Sequence, residues 1–377
     1  MESFLTDYQT IVWGIETLPQ ILTQCGATKV MFVVDRSFPY LTIKDEIESI
    51  PLPHLFFDQF SPNPLYEDVC KGVDLFRSEN CDTLVAIGGG SSIDVAKCIK
   101  LYCKMDPGVN YLQQESFDSQ IPLLAIPTTA GTGSESTRFA VIYYDGKKQS
   151  VNHISIIPTY AILEPSVLRT LPLYQKKCTV LDALCQGIES WWSVNSTQQS
   201  QILSRKAVQN LWTLIEPYIF GTGDDVEELR IARKVMEAAN WAGQAINLTQ
   251  TTAPHAFSYK ITSMYHLPHG HAVAICLPEI WDYQLKHSEQ CIDSRGSEYL
   301  NNVFKEIAQA IGCSNPQDAV AKFFGLLFNL DMANPISVHS EQEIDLLSQT
   351  VNPIRLKNNP VLLTTEAIHS IYQQILN

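Results

Sequence analysis

An α/β unit built on a parallel sheet, followed by an all-helical unit, is the fold class predicted for this chain of 377 residues. Two observations predict it. In the first half, short apolar runs rich in β-branched residues alternate with helix-like stretches. After about Pro172, long periodic segments nearly free of internal Gly and Pro take over. Length agrees with two units, since a domain holds roughly 100–200 residues.

Taken in order, Lys29–Val34 (KVMFVV), His54–Phe57 (HLFF), Thr83–Ile87 (TLVAI) and Pro122–Ile126 (PLLAI) read as strands ending at polar or glycine-rich turns. Their alternation with helical stretches predicts a parallel sheet covered by helices on both faces. Thr179–Val194, Thr197–Pro217 and Val226–Thr249 read as helices, with Gly221–Asp225 a loop before the last. The change of texture lies within Ile157–Leu173, giving expected units of 1–165 and 166–377. From Asp293 onward no motif signals chemistry, and that stretch is expected to complete the helical unit.

Lys and Arg number 26 against 40 Asp and Glu, a net charge of −14 with no basic run. Such a chain repels nucleic acid and anionic membranes. With 45% hydrophobic and 18% charged residues it has the composition of an ordinary globular protein. Residues 1–10 have neither the basic start nor the apolar stretch of a signal peptide, and no 18-residue apolar run follows. A cytoplasmic location is expected. The ten cysteines form no C-x-x-C pair and read as reduced, buried thiols.

Gly88-Gly89-Gly90-Ser91 stands between a strand and a helix beginning near Ser92. Successive glycines let backbone approach a ligand, and a helix start offers free N–H groups to a pyrophosphate. The G-x-G-x-x-G fingerprint is not met, because Ile93 stands at its last glycine. A plain tight turn is the alternative. A second polar turn, Pro127–Glu135 (PTTAGTGSE), follows the strand ending at Ile126, and two such strand ends side by side form a binding crevice. Asp35 closes another strand, where a carboxylate accepts from both ribose hydroxyls of NAD(H) and repels the 2′-phosphate of NADP(H). A surface or capping aspartate is the alternative, with Arg36 beside it.

In the helical half, Asp182 and Gln186 are four apart and share a helix face. His255 and His269 come later. One carboxylate, two imidazoles and an amide oxygen suit a divalent ion with a position left open for substrate. Singly, each residue also reads as a cap or a satisfied core group.

Together, Gly88–Lys97 (GGGSSIDVAK), Pro127–Glu135, Asp182–Ser190 (DALCQGIES) and His255 with Pro268-His269-Gly270 resemble the iron-containing (group III metal-dependent) alcohol dehydrogenase family. Pro62-Asn63-Pro64 and Asn359–Ile368 also resemble family segments. The resemblance implies a dehydroquinate synthase-like architecture: a Rossmann-like nucleotide-binding α/β domain, an all-helical metal-binding domain, and an active site in the cleft between them. It implies that Asp35, Asn63, Gly89, Gly90, Ser91, Asp94, Thr128, Thr129, Thr132, Thr137 and Lys148 contact the dinucleotide, with NAD(H) favoured over NADP(H). It implies metal ligation by Asp182, His255 and His269, and a homodimer or larger homo-oligomer.

Two positions depart from the family pattern. Gln186 replaces a common histidine; an amide is a weaker, harder ligand, which leaves Fe(2+) and Zn(2+) as rivals. Tyr259 replaces a histidine able to relay protons, and a phenol with a reference pKa near 10 is a poor base near neutrality, so His271, His266 or water are further routes.

The implied chemistry is reversible hydride transfer between nicotinamide and a carbonyl carbon. Arg138 and Phe139 follow the threonine turn, and a guanidinium there suits a phosphonate, phosphate or carboxylate; an interdomain ion pair is the equal alternative. Ser136–Tyr144, Asp182–Ser193 and Thr252–Lys260 look like the phosphonoacetaldehyde reductase branch, which implies reduction of phosphonoacetaldehyde to 2-hydroxyethylphosphonate. Three alternatives stand: a dehydrogenase of another small alcohol or aldehyde (a diol, lactaldehyde or a hydroxy acid), a metal- and NAD-dependent cyclase like dehydroquinate synthase, and a non-catalytic binding protein.

Overall fold

A computed structural model describes residues 8–336 and 340–376. The chain forms two compact units, one ending at Leu171 and the other beginning at Pro172. In the first, β1 (Thr10–Trp13), β2 (Val30–Val34), β3 (His54–Phe57), β4 (Thr83–Gly88), β5 (Leu123–Pro127) and β8 (Tyr160–Leu163) form one parallel sheet in the order β1-β8-β5-β4-β2-β3. Every residue of β2, β4 and β5 is buried, which needs cover on both faces of the sheet's centre. Helix α4 (Gly90–Tyr102) packs on β2, β4 and β5, with α3 (Tyr66–Ser78) against it, and α1 (Leu18–Gln24) and α2 (Lys44–Glu48) belong to the same unit.

The four expected strands stand within one residue of their expected bounds. The sequence reading missed β1 and β8, four residues each and too short to show a period, and an antiparallel hairpin of β6 (Phe139–Tyr144) and β7 (Lys147–Asn152). Asp145 and Gly146 turn that hairpin with φ of 50° and 66°, the positive pair that an Asp-Gly dipeptide supplies.

From β2 the chain runs to β3 on one side, and from β4 to β5 on the other. The carboxyl ends of β2 and β4 therefore flank the point at which the winding reverses, where α/β sheets hold their ligands. Asp35 and the glycine turn stand there.

The second unit is wholly helical among the described residues: α5 (Leu173–Trp192), α6 (Gln198–Phe220), α7 (Asp225–Thr249), α8 (Ala253–Tyr265), α9 (His269–Lys286), α10 (Gly296–Ala310), α11 (Pro316–Asn329), α12 (Glu341–Gln349), α13 (Pro353–Leu356) and α14 (Thr365–Leu376). Helix α5 starts six residues before its expected bound, because the exposed Leu173–Gln175 turn has no apolar stripe to read. Thr197 opens α6 with a capping box, its hydroxyl accepting from Ser200 N.

The end of the chain closes this unit's core. Tyr372 of α14 stacks on Phe257 of α8 with centroids 4.6 Å apart, and its hydroxyl donates to the Phe257 carbonyl at 3.0 Å. Both rings are fully buried. Tyr372→Phe is expected to cost about 1 kcal/mol of stability by removing one buried hydrogen bond. Tyr372→Ala is expected to cost about 3–5 kcal/mol by opening a cavity. Urea unfolding followed by circular dichroism checks both, and equal costs would show that the hydroxyl, not the ring, holds α14.

Candidate metal centre and nucleotide cradle

In the helical unit, Asp182, Gln186 and Glu189 lie on one face of α5, all buried. His255 sits in the first turn of α8, and His269 is the first residue of α9. His266 ends α8 with φ of 56°, and extended Pro268 starts α9, so the two helices fold back as a pair.

This brings the ligand atoms of Asp182, His255 and His269 within 4.8 Å of one another. His255 Nε2 stands 3.3 Å from Asp182 Oδ1, and the two imidazole rings meet edge to face at 5.2 Å. Behind His255, Glu189 Oε1 accepts from Nδ1 at 2.5 Å, while Oε2 accepts from Thr252 N at 2.7 Å and Thr252 Oγ1 at 3.0 Å. Thr252 Oγ1 in turn accepts from Trp192 Nε1 at 2.9 Å. Glu189 thus fixes the proton on Nδ1 and turns Nε2 toward Asp182, the carboxylate–histidine support common behind metal ligands. Glu189 has no role among the sequence expectations; its spacing of seven from Asp182 is the signal that could have found it.

The electrostatics ask for a cation. Burial alone would lower the His255 pKa, but Glu189 and Asp182 raise it to about 10. Burial would likewise raise the Asp182 pKa, but His255, His269 and a hydrogen bond from Gln186 bring it below its ordinary value. Asp182 Oδ1 is buried without a hydrogen-bond donor. One carboxylate oxygen and two imidazole nitrogens match the donor set of a divalent ion, which would displace the proton that His255 otherwise holds.

Gln186 hydrogen-bonds Asp182, which adds a part in orienting that carboxylate to its expected place among the ligands. One expectation changes here. His271 is turned inward: with its Nε2 against the carbonyls of Met332 at 3.1 Å and Ala333 at 3.2 Å, that nitrogen carries the proton, and Nδ1 accepts from the Tyr174 hydroxyl at 2.9 Å. Burial lowers its pKa. Both nitrogens are spent inside the unit, which suits an anchor rather than a proton carrier. Tyr259 stacks on His269 with centroids 5.9 Å apart, beside the cluster.

Gly270 sets the distance between α9 and α5. A Cβ there would lie 1.9 Å from the Cys178 carbonyl oxygen and 3.0 Å from Asp182 Cβ. Only a residue without a side chain lets His269 reach Asp182.

In the α/β unit, Gly89 caps the start of α4, and Gly89, Gly90 and Ser91 are partly exposed there. A Cβ on Gly89 would lie 3.6 Å from Thr129, and one on Gly90 3.0 Å from Thr132, so the two polar turns touch. Thr128 N donates to the Gly88 carbonyl at 3.0 Å. Gly88 has φ of 153°, and a Cβ there would meet Asp35 Oδ2 at 2.7 Å. Asp35 accepts from Ser92 Oγ at 3.2 Å and from Ser37 N at 2.8 Å. Asn63 is exposed with φ of 58° in the turn whose Pro64 carbonyl accepts from Tyr143 N, and Lys148 pairs with Tyr143 across the hairpin.

Asp94 and Thr137, expected at the dinucleotide, also hydrogen-bond within the unit. Asp94 accepts from Ser134 Oγ at 2.6 Å and Val141 N at 2.9 Å, and Thr137 Oγ1 accepts from Lys97 Nζ at 3.1 Å. They brace the turns from within. Arg138 is partly buried, its guanidinium 5.5 Å from the Phe139 ring centroid.

Comparison with known proteins decides the family. Residues 11–165 match the iron-containing alcohol dehydrogenase family, and residues 177–376 match the C-terminal part of the Fe-containing alcohol dehydrogenase family. The chain belongs to the iron-containing alcohol dehydrogenases. It is 29% identical over 368 residues to the NAD-dependent methanol dehydrogenase of Bacillus methanolicus, covering 94% of each chain. It is 29% identical over 309 residues to the phosphonoacetaldehyde reductase of Streptomyces viridochromogenes, covering 78% of this chain and 75% of that one. The sulfoacetaldehyde reductase of Bifidobacterium kashiwanohense, solved with NAD+, shares the fold at 24% identity with a TM-score of 0.87, covering 98% of this chain and 97% of that one. This iron-containing alcohol dehydrogenase is an oxidoreductase of alcohols and aldehydes.

Glu189→Gln is expected to weaken divalent-metal affinity about 10–100-fold, the usual effect of losing the group behind a ligating histidine. Chelator competition reads it, and unchanged affinity would remove Glu189 from the centre. Gly270→Ala is expected to weaken metal binding at least as much while far-ultraviolet circular dichroism stays unchanged, since the displaced group is a ligand and not the core.

Proposed function

We propose that the protein reduces a small aldehyde with an anionic tail to a primary alcohol, using NADH and a divalent metal, with phosphonoacetaldehyde to 2-hydroxyethylphosphonate as the reaction. The observation that carries the dehydrogenase reading is the buried Asp182, His255 and His269 cluster with Glu189 behind it. When bound, the metal supplies a Lewis acid for the carbonyl oxygen and the nicotinamide supplies the hydride.

The remaining work falls to side chains and backbone. Amides at the start of α4, with Gly89, Gly90 and Ser91, receive the pyrophosphate, and Thr128, Thr129, Thr132, Asn63 and Lys148 border it. Asp35 accepts from the ribose hydroxyls, which favours NAD(H) over NADP(H). Asp182, His255 and His269 hold the ion, either Fe(2+) or Zn(2+), and Gln186 steadies Asp182. Tyr259, beside His269, gives a proton to the product oxygen; a phenol is suited to donating in this direction near neutrality.

Arg138 selects the substrate. A partly buried guanidinium next to the cofactor turn pairs with a phosphonate through two hydrogen bonds. The phosphonoacetaldehyde reductase relative supports that choice, and the equally similar methanol dehydrogenase supports a neutral substrate as the second reading.

Metal-stripped protein is expected to lose turnover and to regain it on resupply of iron(II) or zinc. Arg138→Ala is expected to lower kcat/KM for phosphonoacetaldehyde about 10–100-fold, the worth of a charge-assisted hydrogen bond, and to have little effect on a neutral aldehyde. A wild-type preference for the neutral aldehyde would leave the dehydrogenase standing and discard the anion pocket. NADH is expected to outperform NADPH, and Asp35→Ala to narrow that difference.

A further inference from the structure

Lys97 is fully buried in the α/β unit, on the inner face of α4. Its ammonium donates to Ser134 Oγ at 3.1 Å, Thr137 Oγ1 at 3.1 Å and the Phe139 carbonyl at 2.7 Å. All three acceptors belong to the segment that carries the threonine turn into β6. Ser134 gives its own proton to Asp94 Oδ1 at 2.6 Å, so towards Lys97 its oxygen must accept. Asp94 is held in turn by Val141 N. An ammonium has three N–H donors and meets three acceptors; a neutral amine has two donors and a lone pair, which would face one of those oxygens.

We propose that Lys97 is a positioning residue for the nucleotide: its three hydrogen bonds set the shape of the Pro127–Phe139 segment, and loss of its proton loosens NADH binding. This inference rests on the assignment of that segment to the cofactor. Around the ammonium stand Asp94 and Cys98 of α4 and Glu135 of the turn, with Lys148 of β7 acting on Asp94. Burial lowers the Lys97 pKa, and Asp94 and Glu135 oppose it, leaving it at about 8. The threefold pin is therefore complete below that pH and lost above it.

The sign for folding is opposite. Between about 8 and the ordinary lysine value near 10.5 the folded chain binds fewer protons at Lys97 than the unfolded chain, so this group favours folding more as pH rises. A fall in NADH affinity over that range is thus not a symptom of Lys97-driven unfolding.

The test is NADH affinity of the full-length, metal-loaded protein, read by nicotinamide fluorescence from pH 6.5 to 9.5, which spans the Lys97 pKa of about 8 on both sides, with steady-state KM and kcat alongside. Wild type is expected to lose about tenfold in affinity across the range, one charged hydrogen bond's worth, with KM for NADH rising and kcat holding. Lys97→Met is expected to bind weakly at every pH, with a flat profile. Should Lys97→Met fail to fold, Ser134→Ala decides: with one acceptor removed, two donors satisfy the rest, so affinity falls at neutral pH and the profile flattens. Wild-type affinity independent of pH, or variants retaining wild-type affinity and profile, would overturn the inference and leave the functional reading intact. Wild-type protein that binds no NADH at any pH would overturn the functional reading and this inference with it.

Discussion

Two carboxylates, Asp182 and Glu189, are buried two turns apart on α5, and the helical unit is organised around neutralising them. Burying an ionised carboxylate without a partner is strongly unfavourable. Glu189 is met by His255 Nδ1, the Thr252 amide and the Thr252 hydroxyl, which fixes where α8 begins. Asp182 is met by the other side of the same imidazole, by Gln186, and by the neighbourhood of His269. One histidine between two carboxylates holds a proton, the charge that a divalent ion would replace. The apolar clusters around α8, α9 and α14 serve to hold that line of groups in register.

The α/β unit meets a different requirement, the close approach of backbone to an anion. Its sheet is ordinary; its winding point is not, because the Asp35 strand end, the Gly88 turn and the threonine turn converge there so closely that a Cβ on Gly88 or Gly90 would crowd its neighbours. Below them, Asp94 and the buried Lys97 hydrogen-bond to the threonine-turn segment and keep it in place.

Much of this was readable in the residues. Continuous apolar runs such as VMFVV mark buried parallel strands because both faces are covered, and the glycine and threonine turns stand out against them. Asp182, His255 and His269 were found through their motif context, since no spacing rule joins residues on three helices. The failures have physical causes. Four-residue strands show no period, and the Asp-Gly signal of the β6–β7 hairpin was simply not used. Asp94, Thr137 and His271 make hydrogen bonds within their own units that no motif announces, because a motif records which residue is present and not which way it points. Glu189 and Lys97 act from behind other groups, and only coordinates show that.

Position 270 admits one residue for a reason unrelated to chemistry. Because α9 rests its backbone against that of α5, the separation of His269 from Asp182 is fixed by two polypeptide backbones rather than by the fit of side chains. A single added carbon at position 270 would have to push apart two helix backbones, which cannot turn aside as a flexible side chain can.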